Sequence, residues 1–239
     1  MGILKKLFGV KVNRPVKLST VDYNQYFEND NVEGTPVELF KLGDLNLPTG
    51  QIIACDPLVC LHDAMPFTRA VKGGVYPVTA CIAKTEDAGD RYALIKLEFS
   101  PERAIAWEMA LVDGQDAGIL VDDQFFGFGV DAGLGCFCDV QSQKYYNEWA
   151  DELRTQDQYE DIVYNDFIAP GFKKNSKDPG NADEIGDWLN FNIPTHPDLN
   201  IIMFSSGYGD GSYPGYWGVT ANGDICSLVI DFQVIGYDF

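Results

Sequence analysis

The chain has 239 residues, of which 46% are hydrophobic and 13% aromatic, and its formal charge is −19. This apolar content excludes an intrinsically disordered chain, and the length allows a buried core without disulfide staples. No apolar run approaches the ~20 residues of a membrane span, so we expect no transmembrane segment, and a negative body that repels phosphate backbones disfavours nucleic-acid binding.

The N-terminal segment has the opposite charge to the rest of the chain. Residues 1–17 contain five bases and no acid, so the remaining residues carry −24. A short amphipathic turn with a cationic edge permits peripheral membrane contact through residues 1–17, against the alternative of a frayed or lightly docked terminus. We expect residues 1–45 to form an extension, packed or partly flexible, ahead of a single domain at 46–239.

Short apolar runs bounded by Gly, Pro, Asn or Asp predict strands along most of the chain. The sequence Asn222-Gly223 between two such runs is a strong signal for a tight hairpin, so we expect 213–220 and 225–235 to pair. The predicted strands are Val37–Leu42, Gln51–Cys55, Val75–Ala83, Arg91–Phe99, Ala104–Val112, Phe126–Val130, Asn200–Phe204, Tyr213–Thr220 and Ile225–Ile235.

Helices are predicted in one part of the chain. Apolar residues three and four apart predict a helix over 142–155 and a second over 157–167, which Pro170-Gly171 would end. The composition of 172–200 is typical of a surface excursion with a short helix near 183–190. The fold class is therefore α+β, mainly antiparallel twisted sheet with helices clustered in 140–190 and a C-terminal hairpin.

The cysteines predict neither a disulfide framework nor a metal site. The chain is long, its N-terminus shows no export signal, and its six cysteines and two histidines form no C-x-x-C or H-x-x-x-H pair. All six have an apolar neighbour in the sequence, as reduced core thiols do. We therefore expect a cytoplasmic protein with no bound metal and no cofactor.

The first segment that could carry chemistry is the glycine-rich stretch 127–139. It lacks the Gly-Lys-Ser/Thr of a phosphate-binding loop and the spacing of a dinucleotide fingerprint. Its carboxylates, Asp131 and Asp139, are candidates for holding a hard cation or for catalysis. A structural role is the alternative for each, because Asp139 can cap the following helix and Asp131 can fix a turn.

The second segment is 205–214, which contains Tyr208, Asp210, Ser212 and Tyr213. Small polar residues between two predicted strands place it in an exposed loop, where binding residues concentrate. A nucleophilic Ser212 would need a histidine base, and neither histidine lies in a recognisable context. Glu108 beside a tryptophan could instead pair with Asp131 or Asp210 in a two-carboxylate enzyme.

A series of ordered blocks resembles a known family. The resemblance covers roughly residues 50 to 235 and points to the bacterial family catalogued as domain of unknown function 4241; it implies one domain and supplies no mechanism. It implies that the residues to test are Arg69, Glu108, Asp131, Asp139, Asp210, Ser212 and Tyr213, and Tyr208 stands where the family pattern commonly has a tryptophan. The blocks are Asp56-Pro57-Leu58, Pro66–Arg69, Gly74–Val78, Trp107–Ala110, Gly129–Gly133 with Cys136-Phe137 and Asp139, and Phe204–Gly207 with Gly209–Pro214.

The charge suggests the function. A strongly negative field speeds encounter with a basic protein, so we expect an acidic binding protein, of the kind that acts as an immunity-type inhibitor by capping a basic partner. The most acidic stretch is 113–166, and Asp122 and Asp123 within it are candidate binding residues together with Arg69, Tyr208 and Tyr213. The alternative is a hydrolase or lyase that uses carboxylates of the two glycine-rich segments.

Overall fold

The computed structural model describes residues 15–155, 161–175 and 188–236. The helices in this part of the chain are α1 (Gln25–Glu28), α2 (Val140–Arg154) and α3 (Ala169–Asn175), with a 3-10 turn at Ala117–Ile119 and a π-helical turn at Val163–Ile168. The strands are β1 (Asn31–Val32), β2 (Thr35–Leu47), β3 (Ile52–Cys55), β4 (Gly74–Thr85), β5 (Gly89–Glu98), β6 (Ala106–Met109), β7 (Gly127–Val130), β8 (Leu134–Asp139), β9 (Trp188–Ile193), β10 (His196–Ser205), β11 (Gly211–Val219) and β12 (Ile225–Asp231).

These strands form two antiparallel sheets, which confirms the α+β class. The large sheet has the order β1-β2-β4-β5-β12-β11-β6, and β7 pairs with a further part of β11. The small sheet has the order β3-β8-β10-β9. Each of the nine predicted strands is present, and the predicted hairpin is confirmed as β11–β12, where Gly223 has a φ of +85°.

The small sheet lies between the large sheet and the helices. On β10, Ile202 and Phe204 pack into the core shared with the large sheet, while Ile201 and Met203 pack into the core under the helices. This follows from the period of two along a strand, which sends successive side chains to opposite faces. Strand β8 is buried on both faces for the same reason, from Leu134 to Asp139.

Helix α2 confirms the helix predicted over 142–155. Its apolar side chains Tyr146, Trp149 and Ala150 are buried against the small sheet. The Asp139 side chain accepts a hydrogen bond of 2.8 Å from the Gln141 N–H, which satisfies one of the unpaired donors of the first turn. The structural role expected for Asp139 is therefore present.

The predicted end of the second helix is wrong. Residues 156–160 lie outside the described residues, but the helical segment continues through Pro170 and Gly171 to Asn175. Pro170 lies inside this continuous helical run, where it has no N–H to donate, and the wider π-helical turn Val163–Ile168 directly precedes it. Gly171 allows close packing, since a Cβ there would lie 2.6 Å from the Cδ1 of Leu189 on β9.

The expected surface excursion over 172–200 also needs correction. The short helix predicted near 183–190 falls partly on residues 176–187, outside the described part, and its remaining residues begin strand β9 instead. Leu189, Phe191 and Ile193 alternate into the core under the helices, so the segment is an edge strand of the small sheet. A missed period of two explains the error.

Residues 15–45 pack closely against the rest of the molecule. Tyr23, Tyr26 and Leu42 are buried in the core of the large sheet. Ahead of them, Pro15–Ser19 runs beside β6, with Leu18 opposite Glu108. Residues 1–14 lie outside the described residues, so only the last three of the expected membrane-contact segment 1–17 are placed. No helix in 15–155, 161–175 or 188–236 is long and apolar enough to cross a membrane.

Candidate functional site

A short extended segment, 66–71, joins the two sheets. The Phe67 N–H donates to the Ile52 carbonyl of the small sheet, and the Thr68 N–H donates to the Leu111 carbonyl beyond β6, both at 2.8 Å. Successive N–H groups of an extended backbone point in opposite directions, so neighbouring residues can donate to two different sheets. The segment therefore fixes the edge of one sheet against the edge of the other.

A cavity of about 660 Å³ lies at this junction, and we call it the junction groove. Phe67, Met109, Leu111 and Trp217 contribute to its walls. Three aliphatic or thioether side chains on or beside it are more than half exposed: Val16 at 52%, Leu18 at 56% and Met65 at 52%. Clustered exposed apolar side chains around a concave surface are typical of interaction sites.

An ion pair lies beside these apolar side chains. The Arg69 guanidinium donates to the Glu108 carboxylate, and the two side chains are 36% and 20% exposed. Sequence reasoning selected both residues but did not pair them. The carboxylate of Glu108 is therefore engaged, while Arg69 has N–H donors in addition to the one that it gives to Glu108.

The rim of the junction groove is acidic. Asp113 lines the groove, and Asp116, Asp122 and Asp123 follow it in the same exposed loop; we call these four residues the rim aspartates. The loop lies against Pro15–Ser19, the segment that runs beside β6. The Lys17 side chain donates to the Asp122 carbonyl, and a Cβ on Gly118 would lie 2.9 Å from Pro15. Among the described residues of this loop and of Pro15–Ser19, four carboxylates and one lysine give the rim a negative charge.

The two glycine-rich segments are neighbours in space. Strands β7 and β11 pair, so that Ser212 lies opposite Gly129. The Gly133 N–H donates to the Asp210 carboxylate at 3.2 Å, and the Ser206 N–H donates to the Gly133 carbonyl at 3.1 Å. These bonds fasten the turn after β7 to the turn after β10, and they engage one oxygen of Asp210 in that structural role.

Asp56, which is not among the candidate residues, holds the turn after β7. Asp56 is fully buried, and its carboxylate accepts backbone bonds from Leu58 at 3.0 Å, Asp131 at 3.0 Å and Ala132 at 2.7 Å. The sequence signal was its place directly after a buried strand and before a proline, where an Asp commonly bonds to its own turn. No sequence pattern indicated the two bonds that Asp56 accepts from Asp131 and Ala132.

Asp139 lies in the interior of the protein. It is fully buried, and besides capping α2 its carboxylate accepts bonds from the Thr49 N–H at 3.0 Å and the Thr49 hydroxyl at 2.8 Å. All three donors belong to the chain itself. The geometry thus gives Asp139 a fixed structural role and leaves it no oxygen facing solvent.

The remaining predicted residues lie around the glycine-rich turns or apart from them. Asp131 and Ser212 are exposed, and Tyr208 is 48% exposed with the Arg91 guanidinium 5.9 Å from its ring centre. Tyr213 is buried and donates to the Gly209 carbonyl at 2.8 Å. Burial, followed by the negative charge of Asp210, raises the pKa of Tyr213.

Neither histidine lies where it could serve Ser212. His196 stacks on Tyr145 of α2 with ring centres 3.6 Å apart, and the His62 carbonyl accepts from Asn147 of the same helix. Ser212 is on the large sheet, in the β7–β11 pair. The arrangement lacks the base that a nucleophilic serine requires.

The cysteines are free thiols, as predicted. Cys55 and Cys136 lie opposite each other on β3 and β8 with their sulfur atoms 3.7 Å apart, and burial raises the pKa of Cys81 to about 12. Cys60 alone is partly exposed. In the described parts of the chain, no group of three or more His, Cys, Asp or Glu side chains is arranged to hold a metal ion.

Comparison with known proteins identifies a family. The family model described as "Protein of unknown function (DUF4241)" matches residues 45–230. This span contains the segment 66–71, the Arg69–Glu108 pair and both glycine-rich segments, and it begins after the edge segment that carries Val16 and Leu18. No curated protein and no solved structure matches the chain.

Proposed function

We propose that this chain, which belongs to the family described as Protein of unknown function (DUF4241), is an acidic binding protein that caps a basic protein partner. The observation that carries the proposal is the junction groove: exposed apolar side chains lie beside a half-buried ion pair, within an acidic rim. An immunity-type inhibitor, which neutralises a basic toxin by covering its surface, is the kind of protein that this surface suits.

The groove has the make-up of a protein interface. Binding energy at such interfaces concentrates in a desolvated centre of apolar and arginine side chains, while the charged rim steers encounter and orients the partner. Here Met65, Leu18 and Arg69 would form the centre and the rim aspartates the periphery. The complementary partner surface carries an apolar side chain flanked by lysine or arginine.

The proposal places the protein in the cytoplasm, where free thiols persist. The enzyme alternative has less support from the geometry. The two glycine-rich turns do meet, but Asp139 faces the interior, Asp210 is bonded to the neighbouring turn, and Asp131 lines neither of the two larger cavities. A two-carboxylate mechanism needs both groups to face one substrate.

We expect a lysine-rich peptide with a central pair of leucines to bind the chain, and its glutamate counterpart not to bind. Replacing Leu18 and Met65 together by serine should weaken binding by about tenfold or more, because each buried aliphatic side chain contributes about 1.5–3 kcal/mol. The measurement is titration calorimetry at two salt concentrations. Affinity should fall with added salt, as a charged rim requires.

The matched control replaces Leu39 and Val75 by serine. These side chains are also exposed, at 46% and 63%, but they lie on β2 and β4, towards the other edge of the large sheet. This pair should bind the peptide as the unmodified chain does. Equal weakening by both double substitutions would mean that the peptide has no preference for the groove, and the proposal would fail.

A further inference from the structure

A second, smaller cavity lies behind the junction groove and has a volume of about 190 Å³. Met65 and Phe67 line both cavities, so they form the partition between them. Much of the wall of the smaller cavity has no side chain beyond a methyl group. The residues of that wall are Ala54, Ala64, Ala110, Gly127, Gly129 and Gly215.

The rest of the wall is aromatic and sulfur-bearing. Phe126, Phe128 and Tyr213 supply rings, and Cys55 and Cys60 supply thiols in addition to the Met65 thioether. Sulfur atoms pack favourably against aromatic rings, and aromatic pairs gain from offset or edge-to-face contact. A flat ring therefore meets complementary groups both on its face and at its edge.

The polar groups of the cavity restrict its ligand further. No charged side chain of the described residues lines it. The Tyr213 hydroxyl already donates to Gly209, and the Gln115 carbonyl oxygen accepts from the Val112 N–H at 3.0 Å. Among the described residues, the side-chain NH₂ of Gln115 has no acceptor, which leaves one donor group, with two N–H bonds, for a ligand. An anion would have no cation to meet and would enter against the negative field of the whole protein.

We propose that this cavity binds a small, uncharged, planar aromatic molecule with one hydrogen-bond acceptor. Its volume suits such a ligand, because an apolar cavity of about 150 Å³ is enough to take up benzene. The ring would lie against the glycine and alanine wall, and its acceptor would face the Gln115 amide. This site is separate from peptide capping at the groove and goes beyond it.

Cys60 reports directly on occupancy of the cavity. It is the one partly exposed cysteine of the six, and it lines this cavity. Burial, followed by the negative charges of Asp56, Asp63 and Asp131, raises the pKa of its thiol. Alkylation is therefore measured in alkaline solution, where the thiolate that reacts is populated.

The test uses quinoline, which is uncharged, planar and carries one acceptor nitrogen. Saturating quinoline should slow alkylation of Cys60 by iodoacetamide about tenfold or more, with a dissociation constant of about 0.1–1 mM for a ligand of this size. Quinoline carboxylate should give no protection, and N-methylquinolinium, whose methyl group blocks the acceptor nitrogen, should protect less than quinoline. No protection of the native chain by quinoline, or equal protection by the charged analogues, would overturn the proposal.

A cavity-filling variant gives a second, independent reading. Ala64→Leu should abolish quinoline binding in calorimetry, because the larger side chain occupies the space of the ring, while the exposed Ala221→Leu should leave binding unchanged. Thermal unfolding confirms that each variant is folded. Unchanged quinoline binding by a folded Ala64→Leu chain would contradict the assigned location, whatever the peptide measurements show.

Discussion

Asp56→Ala is expected to lower the free energy of unfolding by about 3 kcal/mol or more. The substitution removes a fully buried carboxylate and leaves the N–H groups of Leu58, Asp131 and Ala132 without their acceptor. These three hydrogen bonds are part-buried, and a hydrogen bond to a charged acceptor contributes about 1.5–3 kcal/mol. In a chain of this size, such a loss corresponds to a melting temperature lower by about 6–12 °C.

Asp210→Ala is the matched control for Asp56→Ala. Its carboxylate bonds to the same turn, through the Gly133 N–H at 3.2 Å, but it is exposed, so water can replace it. We expect a loss of about 1 kcal/mol or less. Chemical denaturation of the two variants measures the difference. Equal stability of Asp56→Ala and the unmodified chain would show that Asp56 does not hold the turn.

Changing the four rim aspartates together to asparagine is expected to weaken binding of the basic peptide by about fourfold or more. Exposed ion pairs each contribute about 0.2–1 kcal/mol, so four acting on one partner sum to about 0.8–4 kcal/mol, which is at least about fourfold in affinity. The loss should come mainly from slower association, because rim charges act on encounter. Stopped-flow or surface-binding kinetics separate the association rate from the dissociation rate.

The control for the rim substitutions removes the same charge elsewhere. Asp30, Glu33, Glu86 and Asp87 are exposed at β1–β2 and at the β4–β5 turn, across the large sheet from the groove. Changing these four to their amides alters the net charge equally. It should reduce the association rate much less than the rim substitutions, since screening limits the reach of a surface charge to about 10 Å. If both sets of substitutions slowed association equally, the rim aspartates would act only through the net charge of the protein, and the proposed rim would be contradicted.

The sequence predicted those elements whose pattern is local. The β11–β12 hairpin follows from Asn222-Gly223, and α2 follows from apolar spacing with Asp139 as its cap. Strand β8 was missed because its Gly135, Cys136 and Cys138 have no alternation of polar and apolar residues. A strand that is buried on both faces needs no such alternation. Without knowledge of the strands that pair with it, a run of this kind resembles a glycine-rich loop.

The candidate site is formed by contacts between residues far apart in sequence, which no local sequence pattern predicts. Arg69 and Glu108 are 39 residues apart, and they pair because the segment 66–71 crosses from one sheet to the other. The turn held by Asp56 lies 75 residues away from it in sequence. Such pairings depend on strand order and register, which one sequence does not specify.

The most direct test of the central claim is to locate the bound basic peptide on the protein by NMR. Capping at the groove predicts that amide shifts on titration concentrate in 65–69 and 109–123, with the Arg69 side-chain signals changing as well. Shifts spread evenly over the acidic surface would contradict the account, because they would show attraction without a site. Shifts confined to the glycine-rich turns near Asp131 and Asp210 would contradict it equally and would return attention to the enzyme alternative.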